Sequence, residues 1–531
     1  MGNRIKTLSA YLECSVITTA RVERLKEFID ILAKMGYNEF YLGLTDAYKV
    51  ENYPYFNYKR GHYTKDELLD LEKYASERGV TLVPAIQVLG HLEYIWRHGV
   101  FQDMMDTRCI LEVGNEKAYA FVEAMIKSIS ESFKGRRIHV GMDETFGIGT
   151  GNYLKHNAPK DKKALVLEYL KKVVEIAKKY NIEIEMWGDM LLEREGTNVT
   201  PDMVKAELPK NTLVWQWDYD TKDKKKIRQK VLDIKKHADK FGFAGSAWKI
   251  ASYAPSNQYS IERLINQIEV CGEEGVTNYM VTLWGDNGIP CSMFSVLPSL
   301  FIASEFNQRK DVSKSKLDKE KFKKIVGVSY DDVYSLEYLS NPWRRKQPYL
   351  CSMSFLVMFS DLFVGNYDLV ISEGINKKFK SLANKYRKID GGVMSHTFKE
   401  ASALADVLAL KAFLGKRIRE AYKANEKETL KFLVDHDLTK LIKKMKVFNK
   451  VFDEFALHEW QPLGLEANQI WHNAVIGRLE FIKMRLLSFI NNNEKLEEIE
   501  EETLPPSYIP PISEDSYILN WHQWLFSYCM K

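Results

Sequence analysis

The chain of 531 residues carries 76 Lys and Arg against 72 Asp and Glu, a formal net charge of +4, with 45% hydrophobic and 28% charged residues. That balance excludes a disordered chain and leaves no basic footprint for nucleic acid. The length allows two or three domains with ample material for a large core.

The six cysteines lie far apart, without the short paired spacings of a zinc site, and are read as reduced thiols. The opening "MGNRIKTLSAYLECSV" has no apolar core of a secretory signal. No stretch approaches roughly 18 uninterrupted apolar residues, so no membrane span is expected. The expectation is a soluble, cytoplasmic protein.

In chain order, short apolar runs alternate with longer amphipathic ones. "LSAYLEC" is followed by "ARVERLKEFIDILAKMG", whose Gly36 reads as the glycine that stops a helix. "EFYLGL" precedes "TKDELLDLEKYASERG", "TLVPAIQ" precedes "NEKAYAFVEAMIKSISESF", and "RIHVGM" precedes "ALVLEYLKKVVEIAKKY". "IEIEMWG" precedes a weaker helix around "TPDMVKAEL", and "TLVWQWDY" precedes "KKIRQKVLDIKKHADKFG". "FGFAGSAW" precedes "IERLINQIEVCGEEG", and "YMVTLWG" precedes "FSVLPSLFIASEF". Eight strand–helix units over residues 1–308 predict a (β/α)8 TIM barrel. A doubly wound open sheet would want a glycine-rich first turn, which "ECSVITTA" lacks. Residues 309–531 lose the strand pattern and repeat their apolar residues every three or four positions, which predicts an all-α C-terminal domain. Within it, an acidic linker is read near 491–506, and the aromatic tail "YILNWHQWLFSYC" is expected to dock on the body.

Catalytic groups in such a barrel sit at the C-terminal ends of the strands. These ends carry Glu13 and Cys14, then Asp46, then Gln87 with His91 beyond, then Asp143 and Glu144. Strand five ends in Trp187 and Asp189, strand six in Trp217, Asp218 and Tyr219, strand seven in Trp248, and strand eight in Trp284 and Asp286. Four tryptophans and several carboxylates on one rim suggest a carbohydrate pocket, because aromatic faces stack on the C–H faces of sugars and carboxylates bind hydroxyls. A phosphate pocket would want glycine-rich turns and basic residues. No His-x-His ends strand one and the eleven histidines do not cluster, so no metal is expected.

Asp143 and Glu144 are adjacent, so on a regular strand their side chains point to opposite faces and cannot form the facing pair of an ordinary retaining glycosidase. A turning backbone at the strand terminus would let both reach one ligand, one donating a proton and the other stabilising positive charge. The plainer reading is a pair of acids capping the next helix.

"HVGMDE" resembles the His-x-Gly-x-Asp-Glu signature of glycoside hydrolase family 20, the exo-β-N-acetylhexosaminidases. "QVLGHLEYI", "GMDETFGIGTGNYL", "EMWGDM", "GFAGSAWK" and "VTLWGDNG" resemble, in the same order, the branch of that family with a helical C-terminal domain. The resemblance implies a retaining mechanism in which the sugar's own 2-acetamido group attacks the anomeric carbon, one of the exceptions to the two-carboxylate scheme. It implies Glu144 as general acid and then base, and Asp143 as the group that orients the acetamido nitrogen. Trp187, Trp217, Trp248 and Trp284 would wall the pocket, Asp286 would hold the O4 and O6 hydroxyls, and His91 and His139 would lie near the acids. No cofactor is implied.

Two positions depart from the family pattern. The Asp-x-Ser-Arg expected at the end of strand one reads "ECSV", which puts Glu13 in place of the aspartate and Val16 in place of the arginine that grips sugar hydroxyls. The tyrosine expected two residues before an aspartate becomes Gln216 before Asp218; Gln216 could donate to the acetamide oxygen, or Tyr219 could substitute. The leading expectation is release of terminal β-linked GlcNAc or GalNAc from an oligosaccharide or glycoconjugate. The alternatives are a glycosidase for a modified hexosamine and a non-catalytic glycan-binding barrel. The C-terminal helices would cover the barrel or form a homodimer contact.

Overall fold

A computed structural model describes residues 4–14, 18–192, 197–250, 252–285, 288, 290–309, 317–342, 352–365, 368, 371 and 373–502. Val16, Asp286, residues 503–506 of the acidic segment and the aromatic tail lie outside the described residues.

Eight parallel strands close into one barrel in sequential order. They are β1 (Thr7–Glu13), β2 (Glu39–Gly43), β3 (Thr81–Ala85), β4 (Arg137–His139), β5 (Glu183–Trp187), β6 (Leu213–Trp217), β7 (Phe241–Ser246) and β8 (Asn278–Leu283). Closure runs through β1, whose Leu12 is in register with Leu42 of β2 on one side and Leu283 of β8 on the other. Six of the eight strands fall within the sequence-predicted apolar runs, and β1 and β8 each begin one residue earlier, at Thr7 and Asn278; a strand covered by helices outside and filled by side chains inside must be apolar on both faces.

The connections carry their own stop and start signals. The helix Val22–Met35 ends at Gly36, whose φ of 91° a glycine adopts without strain. Thr64 and Glu67 form a reciprocal capping box at the start of Lys65–Ser76. Asn115, Asp161, Thr200 and Asp223 likewise accept backbone N–H groups at the starts of later barrel helices.

The barrel interior is packed by Tyr11, Tyr41, Val83, Ala85, Trp187, Trp215, Ala244 and Met280. Below them sits a polar network. Glu185, only 2% exposed, accepts hydrogen bonds from the Tyr41 hydroxyl at 2.8 Å and Trp215 Nε1 at 2.9 Å. Its other oxygen lies 3.1 Å from Arg137 Nη1, and Arg137 also pairs with Glu39. These charges sit toward the strand starts, where barrels invest in stability.

The described chain divides into two compact units. The first comprises residues 1–247, 260–287 and 299–317, and the second 248–259, 288–298 and 318–531. This division falls near 317 where the sequence pattern breaks at 308, and it assigns the segments after β7 and β8 to the helical unit. The second unit is built of helices, among them Ile375–Tyr386, Ser395–Lys411, Thr439–Glu459 and Glu466–Asn492. Among the described residues no helix is long and apolar enough to cross a membrane.

Candidate active site

The expected strand over 137–142 is shorter in the structure. β4 ends at His139, because Gly141 (φ 69°), Met142 (φ 72°) and Glu144 (φ 52°) all adopt left-handed backbone. Such conformations are costly for non-glycine residues and persist only where the surroundings enforce them, which makes them candidates for function. The Gln87 amide fills the space that a Cβ on residue 141 would need, so this position requires glycine twice over. Gln87 Oε1 accepts from Met142 N at 3.3 Å, and Gln87 Nε2 donates to Asp143 Oδ1 at 3.1 Å. His139 Nδ1 accepts from Gly141 N at 3.1 Å, and burial pushes this imidazole down to about 3, so it stays neutral.

The turn brings both acids to one side. His91 Nε2, itself on a left-handed residue (φ 54°), lies 3.3 Å from Asp143 Oδ2 and 3.8 Å from Glu144 Oε2. Neither acid caps the following helix Lys162–Lys179; Asp161 does. Burial opposes the charge of both His91 and Asp143, but their mutual hydrogen bond and attraction outweigh it. His91 is raised to about 10, and Asp143, aided by Gln87, is held below the usual carboxylate range. At neutral pH the site therefore holds an imidazolium and an ionised Asp143. The Glu144 side chain is 47% exposed, open to an incoming group.

Asp189, at the end of β5, was not among the residues expected to act. Its Oδ2 accepts the backbone N–H of Glu144 at 3.0 Å. Burial, then the charge of Asp143, pushes its carboxyl up to about 6.

The tryptophans divide. Trp187 is 1% exposed, packed 4.5 Å from His139 and 5.8 Å from Trp284 between ring centroids, and presents almost no ring surface of its own. Trp217 and Trp284 are half-buried and offer the exposed ring surface. Trp248 belongs to the second unit, where it packs against Tyr259.

Strand parity corrects β6. Trp215 lies in the interior cluster with Trp217 packed against it, so Gln216 and Asp218 face the other way. Gln216 donates to the Trp217 carbonyl at 2.8 Å. Asp218, 1% exposed, pairs with Lys230 at 3.1 Å and accepts the backbone N–H groups of Asp220 and Thr221. Tyr219 instead shares the inner face, stacked on Trp217 at 5.1 Å, and its phenol lies close enough to Tyr11 to add to the rise of that group's pKa, behind burial, Glu13 and Asp143. Glu13 accepts from Thr45 Oγ1 at 3.1 Å. Among the described residues no cluster of three or more His, Cys, Asp or Glu side chains could hold a metal ion.

An eight-stranded parallel barrel with an acid pair turned out at the end of its fourth strand places candidate catalytic groups at the strand ends, where such barrels carry them. Residues 19–235 match the model of the glycosyl hydrolase family 20 catalytic domain, and residues 336–515 match that of the Glycoside Hydrolase 20C C-terminal domain. The chain belongs to glycoside hydrolase family 20. Hexosaminidase D of Homo sapiens is 23% identical over 288 residues, covering 50% of this chain and 57% of that protein. A beta-hexosaminidase of Porphyromonas gingivalis is 25% identical over 211 residues, covering 32% of this chain and 26% of its own length. The chain thus spans little more than half of the first relative and about a quarter of the second. The solved beta-N-acetylhexosaminidase of Bacteroides fragilis aligns with a TM-score of 0.47 at 17% identity, over 61% of this chain and 70% of its own.

Proposed function

We propose that the chain is an exo-acting β-N-acetylhexosaminidase that works by substrate assistance. The observation that carries this reading is the convergence of Asp143 and Glu144 on His91 through a left-handed turn. The 2-acetamido carbonyl oxygen of the bound sugar attacks C1 while Glu144 protonates the leaving glycosidic oxygen. The resulting oxazolinium carries positive charge, and the ionised Asp143 binds its N–H and offsets that charge. Water then attacks C1, Glu144 takes its proton, and the acetamide is restored with retained configuration. Tyr219 is the hydroxyl donor for the acetamide oxygen, Trp187 closes the floor, and Trp217 and Trp284 stack on the sugar. No step needs a metal or organic cofactor.

The test is a panel of p-nitrophenyl β-glycosides with a thiazoline analogue of the oxazolinium as inhibitor. The expected result is cleavage of the GlcNAc or GalNAc glycoside, with thiazoline binding far tighter than substrate. Cleavage of only non-acetylated sugars would contradict the mechanism.

A further inference from the structure

The helix Glu466–Asn492 of the second unit has two apolar faces. One, formed by Val475, Ile476, Leu479, Ile482 and Leu486, is buried. The other stays at the surface: Ile470 is 63% exposed, Met484 52% and Phe481 42%, and Leu463, just before the helix, is 42% exposed. Ala474 and Gly477 are exposed between them. A helix at the surface of a globular unit ordinarily turns polar residues outward, and contiguous apolar surface marks an interaction site. From Ile470 through Ala474, Gly477 and Phe481 to Met484 the steps alternate between four and three residues, the repeat of a seam along which a second helix packs.

We propose that this face binds its counterpart on a second copy of the chain, the two helices running antiparallel about a two-fold axis near Ala474 and Gly477. The order of the side chains argues for that occupant. Small residues stand at the middle of the stripe and large ones toward its ends, so an antiparallel copy brings the backbones close at the centre and sets Ile470 of one chain against Phe481 and Met484 of the other. A Cβ on residue 477 would meet no neighbouring atom within 4 Å. A side chain would fit there and strengthen the helix; glycine instead leaves the room that a second backbone needs. Met484, Leu487, Ser488 and Asn491 help to line a cavity of about 370 Å³, toward which antiparallel order directs Leu463 of the second copy.

Charge separates the antiparallel arrangement from the parallel one. On the side bonded to the helix Thr439–Glu459 stand Gln469 and Asn473 in the first half, and Glu480 and Lys483 in the second. Antiparallel copies set each of these charges against an uncharged amide. Parallel copies set Glu480 against Glu480 and Lys483 against Lys483. Arg478 is drawn aside by Asp361 at 2.6 Å.

The test is the mass of the full-length protein in solution, measured by light scattering at micromolar concentration, with the variants Phe481→Glu, Gly477→Gln, Gly477→Cys and Ile470→Cys. The wild type is expected at twice the chain mass. Phe481→Glu and Gly477→Gln should each weaken association by about tenfold or more and run as monomers, with the far-UV circular dichroism of the wild type showing that both are folded. Under oxidant, Gly477→Cys should cross-link into a dimer beyond the wild-type background. Ile470→Cys should not, because antiparallel order holds its two copies about 15 to 20 Å apart. A monomeric wild type overturns the proposal, and dimers that appear only after removal of residues 503–531 assign the face to that segment instead. Folded variants that stay dimeric, or cross-linking at Ile470→Cys in place of Gly477→Cys, overturn it as well. None of these readouts depends on turnover, so the outcome is separate from that of the proposed activity.

Discussion

His91 Nε2 stands 3.3 Å from Asp143 Oδ2, and this one contact fixes the charge of both groups at neutral pH. The sign of its pH dependence follows. His91 is raised to about 10 from an ordinary 6.5, so its contribution to stability is complete below about 6.5 and is lost as pH climbs toward 10. Asp143 is lowered, so its contribution is present above the ordinary carboxylate range and is lost on acidification through its folded value. Replacing His91 with Gln leaves Asp143 to the upward push of burial. The acid limb of the kcat/KM profile should move to higher pH, read from a pH series on an aryl glycoside.

Glu144→Gln removes the proposed proton donor while keeping its shape. We expect kcat to fall by about a hundredfold to ten-thousandfold, with thermal stability nearly unchanged because the side chain is 47% exposed. Rate and melting temperature on the same preparation check both halves.

Strand parity separates Tyr219 from Gln216. Tyr219→Phe should reduce kcat/KM by about tenfold or more through loss of one hydrogen bond to a polarised oxygen, whereas Gln216→Leu should leave it within about threefold. The reverse order would restore Gln216 as the donor.

Asp189→Asn should stabilise the fold. A carboxyl raised from 3.8 to about 6 costs the folded state nothing below pH 4, increasingly between pH 4 and 6, and a constant amount above. That amount is about 3 kcal/mol at most. Urea unfolding should therefore show the variant gaining on the wild type at pH 8 and not at pH 4.

The barrel interior makes a different forecast. Arg137→Met strands Glu39 and Glu185 without their shared cation, and should cost about 3 kcal/mol or more. The double variant Arg137→Met, Glu185→Gln should recover part of that loss, because the second change removes the buried charge. Urea midpoints of the wild type and both variants settle it.

The eight strands were legible in the sequence because short apolar runs alternate with longer amphipathic ones along the chain. The acid pair was legible for the same reason, since it stands where the fourth run ends. Hydropathy carries no information on φ, so the left-handed turn at Met142 and Glu144, which shortens β4 and brings the acids together, was not readable. Counting parity onward from Trp217 would have put Tyr219 inside and Gln216 outside. The pairing of Arg137 with Glu39 and Glu185 was hidden because charges that neutralise one another within a barrel look, in sequence, like solvated strand ends. Asp189 stood beside Trp187 at a strand end, yet only the fold shows it beneath the Glu144 backbone.

In the proposed reaction the substrate's own acetamide is the nucleophile. Aryl β-glucosaminides carrying acetyl, monofluoroacetyl, difluoroacetyl and trifluoroacetyl groups on nitrogen differ stepwise in the nucleophilicity of that carbonyl. Substrate assistance predicts that kcat/KM falls at every step of the series; equal rates across it, or no cleavage of the acetyl compound, would contradict the claim.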